Sequence, residues 1–130
     1  MTVSRFMHYW LPVIVYCTAI FIQSSFPTTE KLPAWPFLDK VLHVAVYALL
    51  GFLVFRAVST GRLAKNLNLA LLISALFTGL YGLSDEWHQS FVPGRSPEVA
   101  DALADLIGGI LGAGLGWLRF KRIDKSASLL

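Results

Sequence analysis

The chain has 130 residues, 55% of them apolar, with a net charge of +3, a mean hydropathy of +0.61 and a pI of about 9.2. That length bounds one domain, and so much apolar sequence gathered in blocks excludes an ordinary soluble domain. The basic residues flank the blocks instead of forming a patch, which argues against nucleic acid as a partner.

The first apolar block runs from about Tyr9 to Ile22. It reaches the roughly 17–25 residues of a spanning helix only if Phe6, Met7 and His8 join it, which predicts a helix over about 6–23 with Pro12 inside. Arg5 ahead of an apolar run resembles a signal peptide. However, Gln23-Ser24-Ser25-Phe26 offers no A-x-A-like cleavage site and Tyr16 before Cys17 no lipoprotein site, so a retained helix is expected. Cys17 stands alone, excluding an intramolecular disulfide, and reads as a small packing residue. Segment 24–38 carries Pro27, Pro33 and Pro36, with Trp35 and Phe37 beside them. Proline there blocks helix, and the aromatics suit a lipid–water interface.

The second block, about Val41 to Val58, predicts a helix over about 40–58, followed by a tight polar turn with Gly61. The third, about Leu67 to Leu83, predicts a helix over about 66–85, and segment 84–99 turns at Pro93-Gly94. The fourth, about Ala100 to Leu118, predicts a helix over about 99–118. The expected fold is all-α: an integral-membrane four-helix bundle with short loops, one membrane domain over residues 1–130.

If the N-terminus is cytoplasmic, the inside segments carry Arg5, Arg56, Arg62, Lys65, Arg119, Lys121, Arg122 and Lys125, eight of the eleven basic residues. The outside segments keep Lys31, Lys40 and Arg95. The positive-inside rule then puts both termini in the cytoplasm, N-in/C-in. The acids segregate the other way: Glu30, Asp39, Asp85, Glu86, Glu98, Asp101 and Asp105 fall outside or at outer helix ends, and only Asp124 inside.

That acidic end is where chemistry is expected. Asp39 and His43 share a face of the second helix, and Tyr47 continues it one turn deeper. Asp39 and Lys40 are explained as a helix-start acid and a snorkelling cation, but His43 lies a turn into an apolar helix, and an intramembrane ionisable group usually marks a site. In Ser84-Asp85-Glu86-Trp87-His88-Gln89, Asp85, His88 and Gln89 share one face while Glu86 points about 100° away. Arg95 follows the next turn, placed to close over the carboxylates or to hold an anion by paired hydrogen bonds. Asp101 and Asp105 are one turn apart, followed by Gly108, Gly112 and Gly116 at a spacing that lets helices approach closely.

Asp39-Lys40-x-x-His43-x-x-x-Tyr47, Asp85-Glu86-x-x-Gln89-x-Phe91-x-Pro93-Gly94-Arg95 and Asp101-x-x-x-Asp105-x-x-Gly108 resemble, in order and spacing, the three signature blocks of VanZ-like membrane proteins. Ser24-Ser25 matches a smaller block, and the resemblance covers about residues 10 to 118. It departs from the family pattern at Asp105, where many members carry Asn. The resemblance implies a four-helix membrane protein linked to the cell envelope, expected in the bacterial cytoplasmic membrane as a multi-pass protein. The family's founding member is associated with reduced susceptibility to the glycopeptide teicoplanin.

Three functions compete. The first is an enzyme acting on a lipid-linked or cell-wall substrate at the outer leaflet, with His43, Asp85, Glu86 and Asp101 as candidate catalytic residues and Lys40, Gln89 and Arg95 as candidate substrate-binding residues. Asp39, Asp85, Asp101 and Asp105 are the candidate ligands of a divalent metal such as Mg²⁺ or Ca²⁺. No H-E-x-x-H or G-x-S-x-G motif assigns a reaction. The second function is a non-catalytic envelope- or glycopeptide-binding or shielding protein. The third is a charge network that pins the helices together. A transporter fits less well, because the ionisable groups sit at the outer edge and not at the bilayer midplane. The lipid bilayer is the expected partner, with a homodimer through the helix-four glycine stripe left open.

Overall fold

The computed structural model describes residues 3–27, 37–60 and 66–127, without the side chains of 124–127. The expectations for Glu30, Lys31, Pro33, Trp35 and Pro36, for Gly61, Arg62 and Lys65, and for the side chains of Asp124 and Lys125 lie outside the described residues. Among the described residues four helices make up the fold: α1 Val3–Ser24, α2 Leu38–Val58, α3 Leu67–Gln89 and α4 Val99–Ala127. All four are long and apolar enough to cross a membrane. Among the described residues there is no strand.

The helix ends differ from the sequence expectation where apolarity stops before the helix does. α3 continues through the polar sextet to Gln89 because nothing there breaks it. The chain reverses only at Val92-Pro93-Gly94-Arg95, where Gly94 has φ +80° and the Arg95 N–H donates to the Val92 carbonyl at 3.1 Å. α4 runs on to Ala127 through a charged tail of good helix formers. α1 begins at Val3, taking in Phe6, Met7 and His8. Its Pro12 has no N–H to offer the carbonyl of His8, one turn back. The Arg56 guanidinium of α2 donates to that carbonyl at 3.0 Å and lies 5.0 Å from the Tyr9 ring centroid.

The bundle is apolar outside, as a lipid-facing protein should be, and inside it mixes large apolar side chains such as Leu50 and Phe55 with small and polar ones. Leu72, Leu76, Leu80 and Leu83 of α3 and Ile107, Ile110, Leu111 and Leu115 of α4 are exposed, while Ser74 and Thr78 are buried. Both hydroxyls donate to carbonyls one turn back in α3, at 2.7 and 2.9 Å, which satisfies them without a partner helix.

α2 and α4 form the most extensive helix pair, and they run parallel. Their contacts step down both helices together, from Lys40 with Asp101 and His43 with Asp105 to Val44 with Gly108, Ala48 with Gly112 and Phe55 with Gly116. A Cβ at Gly108 would overlap the Val44 carbonyl, one at Gly112 the Ala48 carbonyl, and one at Gly51 the Gly109 carbonyl. The glycine stripe is thus occupied by α2 of the same chain, and a homodimer through it would require α2 to be displaced. α3 packs on α4 along its other side, with a Thr78–Gly109 contact. α1 is peripheral: Val13 and Ile20 join Tyr47, Leu50, Val54 and Ala57 of α2 in one cluster, and Tyr81 donates to the Cys17 carbonyl at 2.6 Å.

The ends of the helices sort into two faces. Arg5, Arg56, Arg119 and Lys121 lie at one, where Trp117 also donates to Asn68 at 3.0 Å. Asp39, Asp85, Glu86, Glu98, Asp101 and Asp105 lie at the other. Gly112→Ala is expected to lower the melting temperature in detergent by several degrees, the effect of roughly 1–3 kcal/mol of overpacking. Gly114→Ala, whose Cβ would meet nothing within 4 Å, should leave it unchanged or raise it, as Ala is the better helix former by about 1 kcal/mol. Thermal unfolding of both variants checks this, and equal losses would mean the stripe does not act through close approach.

Candidate functional site

Parallel packing puts the N-termini of α2 and α4 at the same face, each with a partial positive charge. Asp39 lies in the first turn of α2, and Asp101 in the first turn of α4. Between them the Lys40 ammonium meets Asp101 Oδ1 at 2.5 Å, Glu98 Oε2 at 2.7 Å and Asp39 Oδ2 at 3.0 Å. An ammonium has three donors, so this group of three carboxylates already holds its cation. Three residues along α2 and four along α4, the second rung forms: His43 Nδ1 lies 2.8 Å from Asp105 Oδ1. With a carboxylate as partner, Nδ1 carries the proton and donates. His43 Nε2 lies 3.9 Å from Asp101 Oδ1, so the ring sits between two carboxylates. Asp105 is wholly buried at 0% exposure.

α3 supplies the third wall. A Cβ at Gly82 would come within 2.7 Å of Asp105 Cβ and 2.9 Å of its Oδ2, so only glycine leaves room for that carboxylate between α3 and α4. One turn on, Asp85 and Glu86 are both buried, at 6% and 7% exposure. They face different partners, as their 100° separation requires. Asp85 Oδ2 accepts from Gln89 at 3.0 Å, and Gln89 Oε1 accepts from Arg95 at 3.3 Å. Arg95 also donates to the Phe26 carbonyl at 3.2 Å and the Gln23 carbonyl at 3.4 Å, tying the end of α1 to the turn before α4. Glu86 Oε2 accepts from the Glu98 N–H at 2.9 Å, capping the entry to α4. One atom each of His43, Glu86 and Asp105 lie within 4.8 Å of one another.

Polar atoms are left over in this cluster. Asp105 Oδ2, Glu86 Oε1 and the Tyr47 hydroxyl are buried with no hydrogen-bond partner among the described residues. Leaving one such atom unpaired costs about 1–3 kcal/mol.

The structure divides the residues singled out from sequence into three groups. His43, Glu86 and Asp105 come together in the buried cluster, with Tyr47 beneath His43 on α2. Lys40, Asp39 and Asp101 form the ion-paired group above it, joined to the first by His43. Asp85, Gln89 and Arg95 form a separate hydrogen-bonded chain. The four carboxylates Asp39, Asp85, Asp101 and Asp105 are therefore not gathered around one point. Lys40 and Arg95 have their donors turned to groups of the protein itself.

Sequence reasoning left out Glu98 and Gly82. Glu98 stands one turn before Asp101, a spacing that marks it as part of the same face. The Gly79 and Gly82 pair, one turn before Asp85, is the signal that something large must fit beside α3. It also noted His88 without its partner: Ser25 Oγ lies 2.9 Å from His88 Nε2, and Phe21 packs on the ring.

A site of this kind can hold a ring nitrogen in one tautomer beside a carboxylate, offer unpaired oxygens to a donor-rich group or a cation, and exclude bulk water by burial. No curated protein and no solved structure gives a significant match to the chain. The model of one family, described as VanZ/LLP1, matches residues 3–120, a span that includes α1, α2, α3, α4 as far as Phe120 and every residue of the cluster. The chain belongs to the VanZ/LLP1 family.

Proposed function

We propose that this chain acts from the bacterial cytoplasmic membrane, with both termini in the cytoplasm, on the polar part of a lipid-linked or cell-wall substrate. The His43–Glu86–Asp105 cluster is its working site at the extracytoplasmic face. The observation that supports this is the contrast between paired polar groups and unpaired ones. Lys40 with its three carboxylates, and Asp85 with Gln89 and Arg95, are paired as a structural network should be. The cluster around His43 instead leaves Asp105 Oδ2 and Glu86 Oε1 buried without partners. An intramembrane group kept at such a cost suits a ligand that completes it.

The chemistry follows from the rung. Asp105 holds the His43 ring and offsets the charge of an imidazolium, so the imidazole can exchange a proton with a substrate hydroxyl. Glu86 Oε1 accepts a hydrogen bond from the same headgroup. Lys40 is a positioning residue: it fixes Asp101 beside His43 and does not itself grip a phosphate.

His43→Gln keeps the size and polarity of the side chain and removes the proton acceptor. It should leave the amount of inserted protein unchanged and reduce function about 10²–10⁴-fold, the usual contribution of a general base. Glycopeptide susceptibility of a host expressing each variant, beside its envelope lipid profile, measures this. Full function in His43→Gln would overturn the reading. A protective effect that persists in His43→Gln, vanishes in Glu86→Gln and leaves the lipid profile unaltered would replace catalysis by binding.

The orientation has its own check in a Cys17→Ser background. A cysteine at Ser96→Cys should react with a membrane-impermeant maleimide in intact cells, and one at Lys121→Cys only after lysis. The reverse pattern would put the site in the cytoplasm.

A further inference from the structure

We propose that His43, Glu86 and Asp105 hold a divalent transition-metal cation, Zn²⁺ or Mn²⁺. This rests on reading the cluster as the working site, and it changes the imidazole's part from proton acceptor to ligand.

Three observations carry it. The first is geometric: the three side chains come from α2, α3 and α4, and one donor atom of each lies within 4.8 Å of the others. Metal–ligand bonds of roughly 2.0–2.2 Å place donors about 3–4 Å apart, so closure asks for a shift of about an ångström at the ends of flexible carboxylates. Metal binding at His43 Nδ1 displaces the proton that this atom shares with Asp105 Oδ1, and the two atoms, 2.8 Å apart, are already as close as neighbouring ligands of one ion.

The second is the pair of unpartnered oxygens. Asp105 Oδ2 and Glu86 Oε1 belong to residues more than nine-tenths buried, and neither accepts a hydrogen bond from any described residue. A cation supplies both with a partner at once.

The third is charge. Lys40 is taken up by Asp39, Glu98 and Asp101, and among the described residues no Lys or Arg ion pair reaches Glu86 or Asp105. Two buried carboxylates without a cation are unfavourable in a low-dielectric bundle. A dication with a neutral imidazole balances them. The group of Asp39, Glu98 and Asp101 lies equally close together, but the ammonium of Lys40 fills its centre, which makes it an internal control.

The ligand set selects the metal. An imidazole with two carboxylates suits Zn²⁺ or Mn²⁺, whereas Ca²⁺ and Mg²⁺ favour oxygen ligands throughout. Gly82 carries part of the design, since a side chain there would push Asp105 away from the cluster.

The test is metal content by mass spectrometry of the full chain, purified in detergent without a histidine tag and incubated with ZnCl₂ or MnCl₂ before desalting. About one ion per chain is expected in the wild type and in Asp39→Asn. Glu86→Gln and His43→Gln should hold at least tenfold less, while eluting as the same folded species on size exclusion. No metal in the wild type, or equal metal in Glu86→Gln, would overturn the proposal. If the wild type is metal-free and His43→Gln still loses function, the working site stands and only the cation falls. If metal is bound and lost as expected while function is untouched in His43→Gln, the metal stands and the functional reading falls.

Discussion

The close approach of α2 and α4 decides the rest of the molecule. Two parallel backbones meet where Gly108 and Gly112 have no side chains to hold off the carbonyls of Val44 and Ala48. The gain is dispersion and dipolar contact, the main attractions left to helices in lipid, where apolar burial no longer favours association. Because the contact is parallel, both helix starts, with their partial positive charges, lie at one end of the bundle. This gives the segregation of acids a physical reason. Asp39, Glu98 and Asp101 collect at that end because two helix N-termini and one ammonium are there to receive them.

The same contact sets the depth of the polar cluster. Lys40 and His43 are three residues apart on α2, and Asp101 and Asp105 four apart on α4, so one register aligns both rungs. In the upper rung the Lys40 ammonium has a carboxylate for each of its donors; in the lower rung Asp105 is wholly buried beneath a His43 ring as exposed as Lys40. The bundle thus carries an ion-paired cluster around Lys40 above a second cluster that holds buried oxygens unpartnered among the described residues, about a helical turn deeper.

Much of this was legible in the sequence, for identifiable reasons. Apolar blocks longer than a bilayer core announce helices, and four of them fix the class. The ends were less legible, because hydropathy marks lipid and not helix: α3 keeps its geometry through Ser84 to Gln89, and α4 through its charged tail. The spacings placed His43 on a face with Asp39, and Asp101 on a face with Asp105. Which helix each face would meet was not visible, since residues equally spaced on three helices can be paired in several ways. For that reason four aspartates looked like one ligand set, whereas the structure gives two of them to Lys40, one to Gln89 and one to His43. The glycine stripe announced a tight contact without saying whether its partner lay in the same chain.

The parallel pairing of α2 with α4 also bears on how the protein is made. Helices enter a membrane in the order of synthesis, and α2 arrives two helices before its partner. Until α4 is inserted, Lys40 and His43 face a half-built bundle with no Asp101 or Asp105 to meet them, and Glu86 of α3 lacks the Glu98 N–H that it caps. Biogenesis therefore passes through an intermediate with unpaired ionisable groups at the edge of the bilayer. A chain stalled there offers membrane proteases and insertion chaperones a recognisable defect, and only the last helix erases it.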